Sequence, residues 1–485
     1  MGWLGNLLLA LVTAGVILVI ISEKGDTGRK VAWLFIIAIL PVVGLVLYLL
    51  FGISFRHHWI FNRKHRRYID TFSAGAEKPL TDRLFGRDDE QLLREEYRPL
   101  ARFLAREGFP TVCRGNDFEI ITSGKRKYEL LMRDLENARE FIHVEYFHFG
   151  NDEGGKAVRE MLMKKAREGV KVRFVNENIA NLPITPGYYN KMREAGVEVE
   201  KFTNPKWSLL GIVTNLNYRD HRKIVVIDGK IGYTGGMNIN DHYFKLWRDT
   251  HLRITGPAVS SLQFMFMDIW LTAGGHLDRP LMELFPSLDP PAAAEPSDGP
   301  VLRDKLMQIT PDEPDSTWPL LQMSLEWALS HARRYIWMQT PYFVPPEPLL
   351  NAMKVAALSG VEVRLMVPEK TDNFFMRPVN ESYYEECLEA GIKIFLRKGE
   401  FIHSKTFVSD DYLSCIGTAN IDFRSYDLDY EVNTFIYDEE TALANKEIFL
   451  NDAMQCRELM MEEWEQRPWH KRLMEYIMRL FAPLL

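Results

Sequence analysis

Cysteine is scarce in this sequence: Cys113, Cys387, Cys415 and Cys456 are the four in 485 residues. None stands in C-x-x-C spacing or in a Cys/His cluster, so neither a disulfide framework nor a structural zinc site has a basis. Excess charge of one sign is lacking too. The 59 Lys and Arg against 66 Asp and Glu leave a formal net charge of −7, which gives no polybasic signature for nucleic acid. A hydrophobic content of 46% with 26% charged residues excludes a disordered, collagenous or long coiled-coil chain. What remains is a globular protein with enough chain for two or three domains.

Two long uncharged runs stand at the amino end. Residues 3–21 (WLGNLLLALVTAGVILVII) and 31–53 (VAWLFIIAILPVVGLVLYLLFGI) count 19 and 23 residues, close to the roughly 20 that a helix needs to cross a hydrocarbon core. A signal peptide would explain the first, but no basic segment precedes it and the second run follows at once. Pro41 does not forbid a second span, because neighbours can satisfy a freed carbonyl in a membrane. The expectation is a transmembrane helical hairpin within residues 1–55. Its loop carries Lys24, Arg29 and Lys30 against Glu23 and Asp26, whereas the following segment carries Arg56, Arg63, Lys64, Arg66 and Arg67. The positive-inside rule puts the heavier side, and the rest of the chain, in the cytoplasm. Residues 56–110 then form a basic juxtamembrane linker region against anionic headgroups.

The remainder is duplicated. FIHVEYFHF (141–149), GVKVRFV (169–175) and EAGVEVEKF (194–202) recur in order as YIWMQTPYFV (335–344), GVEVRLMV (360–367) and EAGIKIFLR (389–397). Apolar strands alternate with amphipathic helices, and the short G-V-x-V-R runs suit parallel strands buried on both faces. The expected fold is α/β, with two pseudo-symmetric lobes of mixed sheets flanked by helices, at residues 111–285 and 301–460. A Pro-, Ala- and Ser-rich linker, 286–300, joins them. Any active site is expected where the lobes meet.

Near the end of each lobe a constellation repeats. His221, Lys223, Asp228, Gly235 and Asn238 match His403, Lys405, Asp410, Gly417 and Asn420 at offsets of +2, +7, +14 and +17 from each His. Residues i and i+2 of a strand share a face, so His and Lys project together. Asp228-Gly229 and Asp410-Asp411 read as turns, after which a returning strand brings the Asn beside the His. Acids at +28, Asp249 and Glu431, suit His-orienting partners. Lys and Asn offer donors for phosphate oxygens, and two imidazoles offer a nucleophile and a general acid. No separate metal ligand set is visible. A single H-x-K would be weak, since short motifs are common, but the repeat makes a casual match untenable.

The paired H-x-K-x(4)-D motifs, followed by G-G-M-N and G-T-A-N, resemble those of the phospholipase D superfamily. The two apolar runs, WRDTH, QTPYFVPPE and EEWEQRPWHKRL are similar, more narrowly, to the bacterial cardiolipin synthases. The resemblance extends over essentially the whole chain and implies conversion of two phosphatidylglycerols to cardiolipin and glycerol through a phosphatidyl group on one His. It implies catalytic roles for His221, Lys223, Asp228, His403, Lys405 and Asp410. Asn238 and Asn420 would bind substrate phosphate, and Asp249 and Glu431 would orient imidazoles across the lobes. His221 would be the nucleophile and His403 the acid. No cofactor and no metal are expected. The partners are phosphatidylglycerol and other anionic membrane lipids, without nucleic acid, and the setting is a bacterial inner membrane crossed more than once. A hydrolase of the superfamily and a catalytically silent scaffold are the rival readings. Residues 461–485 form an amphipathic end, with Ile477, Leu480, Phe481 and Leu484 on one helical face. Two readings stay open for it: an interfacial helix, or a terminal helix docked on the core.

Overall fold

The computed structural model describes residues 3–22, 27–52, 89–106, 110–202, 218–278, 284–285, 299–314 and 316–482. The basic segment 56–67, nearly all of the linker 286–300 and Leu484 lie outside the described residues.

At the amino end, α1 (Trp3–Ser22) is the one helix among the described residues long and apolar enough to cross a membrane. The second apolar run is not a single span. It forms α2 (Thr27–Ile39) and α3 (Pro41–Phe51), separated at Leu40. Pro41 has no N–H to give Ile37, and its ring crowds the preceding turn. The chain folds back there: a Cβ on Gly44 would lie 2.8 Å from the Ile37 Cα, and the Trp33 and Tyr48 rings meet edge to face at 5.4 Å. Gly44 supplies the small side chain this approach requires. At 13 and 11 residues, and about 1.5 Å per residue, neither arm spans the ~30 Å of a bilayer core. Where a pair of spanning helices was expected, the second apolar run is a short helical hairpin, and α1 alone among the described residues has the length and composition of a span.

The body is built on one sheet that runs through both lobes. The first lobe contributes β1 (Cys113–Ile121), β2 (Phe141–Tyr146), β3 (Lys171–Glu177), β4 (Glu198–Phe202), β5 (Lys223–Ile227), β6 (Ile231–Gly235) and β7 (His251–Thr255). The second contributes β8 (Leu302–Asp312), β9 (Tyr335–Gln339), β10 (Glu362–Pro368), β11 (Lys393–Arg397), β12 (Thr406–Ser409), β13 (Leu413–Gly417), β14 (Asp429–Tyr437) and β15 (Cys456–Leu459). Their order is β15-β11-β10-β9-β12-β13-β14-β8-β1-β7-β6-β5-β2-β3-β4, so β1 and β8 form an antiparallel seam and the halves mirror one another across it. The V-x-V-R strands β3 and β10 are parallel to their neighbours and largely buried, which suits the apolar residues they carry on both faces.

At the seam Phe118, Leu252, Ile254 and Phe266 pack with Met307, Ile309, Val432 and Ile436, all 1% exposed or less. Full burial of a side chain of this kind stabilises by roughly 1.5–3 kcal/mol, so the lobes share a core. Four further helices bear on function: α4 (Asp241–Lys245), α5 (Met376–Glu381), α6 (Phe423–Asp427) and α7 (Trp469–Arg479).

Candidate active site

Each motif hairpin forms as its turn residues dictate. Asp228 and Gly229 both have positive φ (51° and 63°), as do Asp410 and Asp411 (51° and 54°). Two successive residues in that region make the turn whose twist matches antiparallel strands, so β5 returns as β6 and β12 as β13.

The histidines precede these strands and are pinned from the opposite lobe. Arg219 and Asp220 pair in parallel with Asp429 and Tyr430, and the His221 N–H donates to the Tyr430 carbonyl at 3.0 Å. In the mirror arrangement Trp247 and Arg248 pair with Phe401 and Ile402, and the His403 N–H donates to the Arg248 carbonyl at 2.7 Å. The next residue along each partner strand supplies the carboxylate. His221 Nδ1 lies 2.9 Å from Glu431 Oε1, and His403 Nδ1 lies 2.7 Å from Asp249 Oδ2. A neutral ring donating from Nδ1 keeps its lone pair on Nε2.

Lys223 and Lys405 sit behind the rings and do not line the cleft. Lys223 Nζ donates to the His221 carbonyl at 2.5 Å, and Lys405 Nζ donates to the His403 carbonyl at 2.6 Å and lies 2.7 Å from His403 Nδ1. Burial pulls Lys223 down to about 8 and Lys405 to about 7, against the opposing pull of Glu431 and Asp249. Burial, with the cationic Lys405 beside it, holds His403 near 3. His221 is held well below its ordinary value by burial, Lys223 and Lys405. Burial pushes Glu431 up to about 7. It pushes Asp249 upward too, but the charges of His403 and Lys405 outweigh it and the carboxyl ends below its usual value. Both imidazoles are accordingly neutral at pH 7.

That cleft measures about 730 Å³. His221, His403, Asn238 and Asn420 line it, with Phe147, Tyr243, Trp247 and Tyr342 among its walls. Asn238 accepts from the His148 N–H at 3.1 Å and donates to the Tyr243 hydroxyl at 2.9 Å. The Oδ1 of Asn420 is buried without a partner.

Asp228 and Asp410, expected among the catalytic residues, are not brought into the cleft. They occupy the turn at the far end of each hairpin. Asp228 accepts from the N–H groups of Arg139, Glu140 and Phe141 at 2.7–2.9 Å, tying the turn to the start of β2. Asp410 does the same with Arg333, Arg334 and Tyr335 at 2.6–3.0 Å, at the start of β9. A turn closes away from the end that carries chemistry, so these aspartates sit where the spacing reads turns, and the catalytic role that the resemblance implied for them finds no contact with the cleft.

Other cleft residues escaped the sequence reading although the repeat marks them. At +19 stand Asn240 and Asp422, which cap α4 and α6 by accepting from Tyr243 N and Ser425 N. At +22 the halves differ. Tyr243 places its hydroxyl 3.4 Å from His403 Nδ1, while Ser425 accepts from the Asn420 N–H at 3.1 Å. Among the described residues one group has metal-ligand spacing: His221, Asp429 and Glu431, with ligand atoms within 4.8 Å of one another. The Glu431–His221 hydrogen bond and the nearby cations Lys223, Lys405 and Arg424 already balance its charge, a poor setting for a divalent ion.

The comparisons agree with this geometry. A family model described as "Cardiolipin synthase, PLD-like domain" matches residues 131–270 and 325–453, and one described as "Phospholipase_D-nuclease N-terminal" matches 9–52. The chain is 36% identical to the major cardiolipin synthase ClsA of Bacillus subtilis (strain 168), over 99% of this chain and 97% of that one. It is 36% identical to a cardiolipin synthase of Geobacillus kaustophilus (96% and 91% covered) and 33% identical to one of Listeria monocytogenes serotype 4a (100% of each). Among solved structures, a phosphatidylserine synthase of Haemophilus influenzae Rd KW20 shares the fold at 16% identity and a TM-score of 0.56, over 76% of this chain and 95% of that one.

Proposed function

The chain belongs to the cardiolipin synthase family of phospholipase D-like proteins, and from that premise we propose that it joins two phosphatidylglycerol molecules into cardiolipin, releasing glycerol. The observation that carries the proposal is the crossing of the two His–carboxylate pairs: each lobe holds the other's imidazole, and both rings open on one aromatic-walled cleft.

His221 Nε2 attacks phosphorus in the first lipid, the bond to the glycerol oxygen breaks, and His403 delivers the proton that oxygen needs. The phosphatidyl group rests on His221. The glycerol hydroxyl of the second lipid then gives its proton to His403, attacks phosphorus, and breaks the P–N bond, so both histidines return to their starting state. An anionic phosphodiester seated beside His403 raises its proton affinity, so that His403 takes a proton from solvent at Nε2 before the first step. It gives that proton to the leaving glycerol and regains it from the incoming hydroxyl, while His221 stays neutral as the nucleophile. Asn238 and Asn420 donate amide hydrogens to the phosphate oxygens. Lys223 and Lys405 act from behind, holding the ring backbones and contributing positive charge as the phosphorane oxygens gain negative charge.

Membrane association follows from α1 and from the family. For the finer topology we propose a single crossing in the bacterial cell membrane, with the α2–α3 hairpin dipping in and out on one side. Lys24, Arg29 and Lys30 then share a side with Arg56, Arg63, Lys64, Arg66 and Arg67, and the positive-inside rule makes that side, and the catalytic body, cytoplasmic.

Mass spectrometry of products from the purified chain in phosphatidylglycerol vesicles tests the activity. Cardiolipin with an equimolar amount of glycerol is expected. Phosphatidate in its place would make the protein a hydrolase, and no turnover would make it a scaffold.

A further inference from the structure

The carboxyl-terminal helix packs the wrong way round for a soluble protein. Along α7, Trp469, Leu473, Tyr476, Ile477 and Leu480 fall on one face and are 45–75% exposed. The opposite face meets the body partly through charge: Glu475, 3% exposed, pairs with Arg467 at 2.8 Å, and Arg479 pairs with Glu386 at 2.5 Å. Polar contacts thus clamp the helix with its apolar stripe outward, an arrangement that water alone does not favour.

A second apolar projection lies beside it. Phe374 and Phe375 are 85% and 62% exposed, with ring centroids 5.8 Å apart. Their loop is part of the catalytic cleft: Asp372 and Asn373 line it, and Asp372 accepts from the Tyr342 hydroxyl at 2.6 Å. The chain continues into α5, whose first residue, Met376, also lines the cleft, and α5 packs on α7. Between α5 and α7 a hollow of about 400 Å³ is lined by Lys370, Arg377, Arg457, Arg467 and Lys471 against three carboxylates. Apolar groups outermost, aromatic residues at the boundary and cations just behind are the layers a surface needs to sit in a leaflet with anionic headgroups.

We propose that the α7 stripe and the Phe374–Phe375 tip form a bilayer-docking face, separate from the amino-terminal anchor, that seats the cleft mouth on the membrane so that lipids enter headgroup first. The proposal draws on membrane association and does not depend on which lipid reacts.

The test uses the full chain reconstituted into vesicles of phosphatidylglycerol and phosphatidylethanolamine, with a polarity-sensitive fluorophore on Leu473→Cys and labelled parent protein as background. Lipids brominated in the acyl chain should quench the label, and aqueous iodide should not, while a label on the exposed Glu439→Cys should behave oppositely. Iodide quenching equal at both sites would overturn the proposal. Shielding from iodide without bromolipid quenching would overturn it as well, because a protein segment or a second copy would then cover the stripe. Independently, the double change Phe374→Ser with Phe375→Ser should lower kcat/KM on vesicles about tenfold and leave turnover of monomeric short-chain lipid near the parent value. An equal loss on both substrates would sink the docking role for the tip, whatever the lipid product.

Discussion

Each imidazole donates from Nδ1 to a carboxylate of the opposite lobe, which leaves two chemically similar rings whose roles differ by what each must do with a proton. Glycerol leaves poorly unless protonated, so His221→Ala and His403→Ala should both stall turnover of phosphatidylglycerol. A phosphatidyl ester of p-nitrophenol needs no proton to depart. With it, His403→Ala should release a burst of nitrophenol and trap a phosphohistidine that mass spectrometry places at position 221, and His221→Ala should do neither. An adduct at 403 would exchange the roles. The buried lysines offer a second measurement. Lys405 has a pKa near 10.5 in the unfolded chain and about 7 in the fold, so between those values the unfolded state binds more protons and stability rises with pH. Lys405→Met removes that term, and the slope of melting temperature against pH from about 7.5 to 9 should be flatter than in the parent protein. An unchanged slope would mean that Lys405 keeps its proton when buried. Tyr243 and Ser425, at equivalent positions, are where the halves part company. Aligning the two copies marks such a difference, but which histidine meets the Tyr243 hydroxyl depends on packing between lobes.

At the scale of the element, the hairpin makes clear what spacing can and cannot convey. The +17 offset brings Asn back beside His on the cleft because a two-residue turn and the returning strand are local geometry. The +2 offset, read as sending His and Lys into the cleft together, leaves each Lys behind the ring on the carbonyl of its His. The +7 aspartates carry the same regularity and do a different task. Asp228→Asn keeps a residue that tolerates positive φ but weakens three charge-assisted contacts to backbone N–H groups, and should cost about 1–3 kcal/mol of stability, with kcat per folded molecule near the parent value. Thermal unfolding alongside active-site-titrated kinetics decides it: a hundredfold loss of kcat at unchanged melting temperature would return Asp228 to the chemistry. The second apolar run shows the converse limit. Its composition meets the requirement for a span, and Pro41 was visible, yet composition does not reveal whether a proline bends a helix or turns it back. The close approach of Gly44 to Ile37 does.

For the whole molecule, the proposed single crossing by α1, with the chain turned back at Pro41, puts the two chain ends on opposite faces of the membrane. A short epitope tag before Trp3 should be accessible from outside intact spheroplasts, and one after Leu485 only once they are permeabilised. Protection of both tags would restore two crossings. The duplicated lobes were legible in the sequence, whereas their fusion into one sheet was not, because nothing local in β1 or β8 names its partner strand. That seam has a consequence for biosynthesis. Asn116 bonds the Lys305 backbone across 189 residues of chain, so when the first lobe leaves the ribosome its β1 edge has no strand to meet. An open edge of that kind recruits any neighbouring strand, and chains emerging side by side on one polysome expose identical edges to each other. Slow synthesis of the second lobe should therefore yield insoluble or domain-swapped material, while synonymous codons that speed residues 279–312 should raise the recovered yield without altering a single side chain.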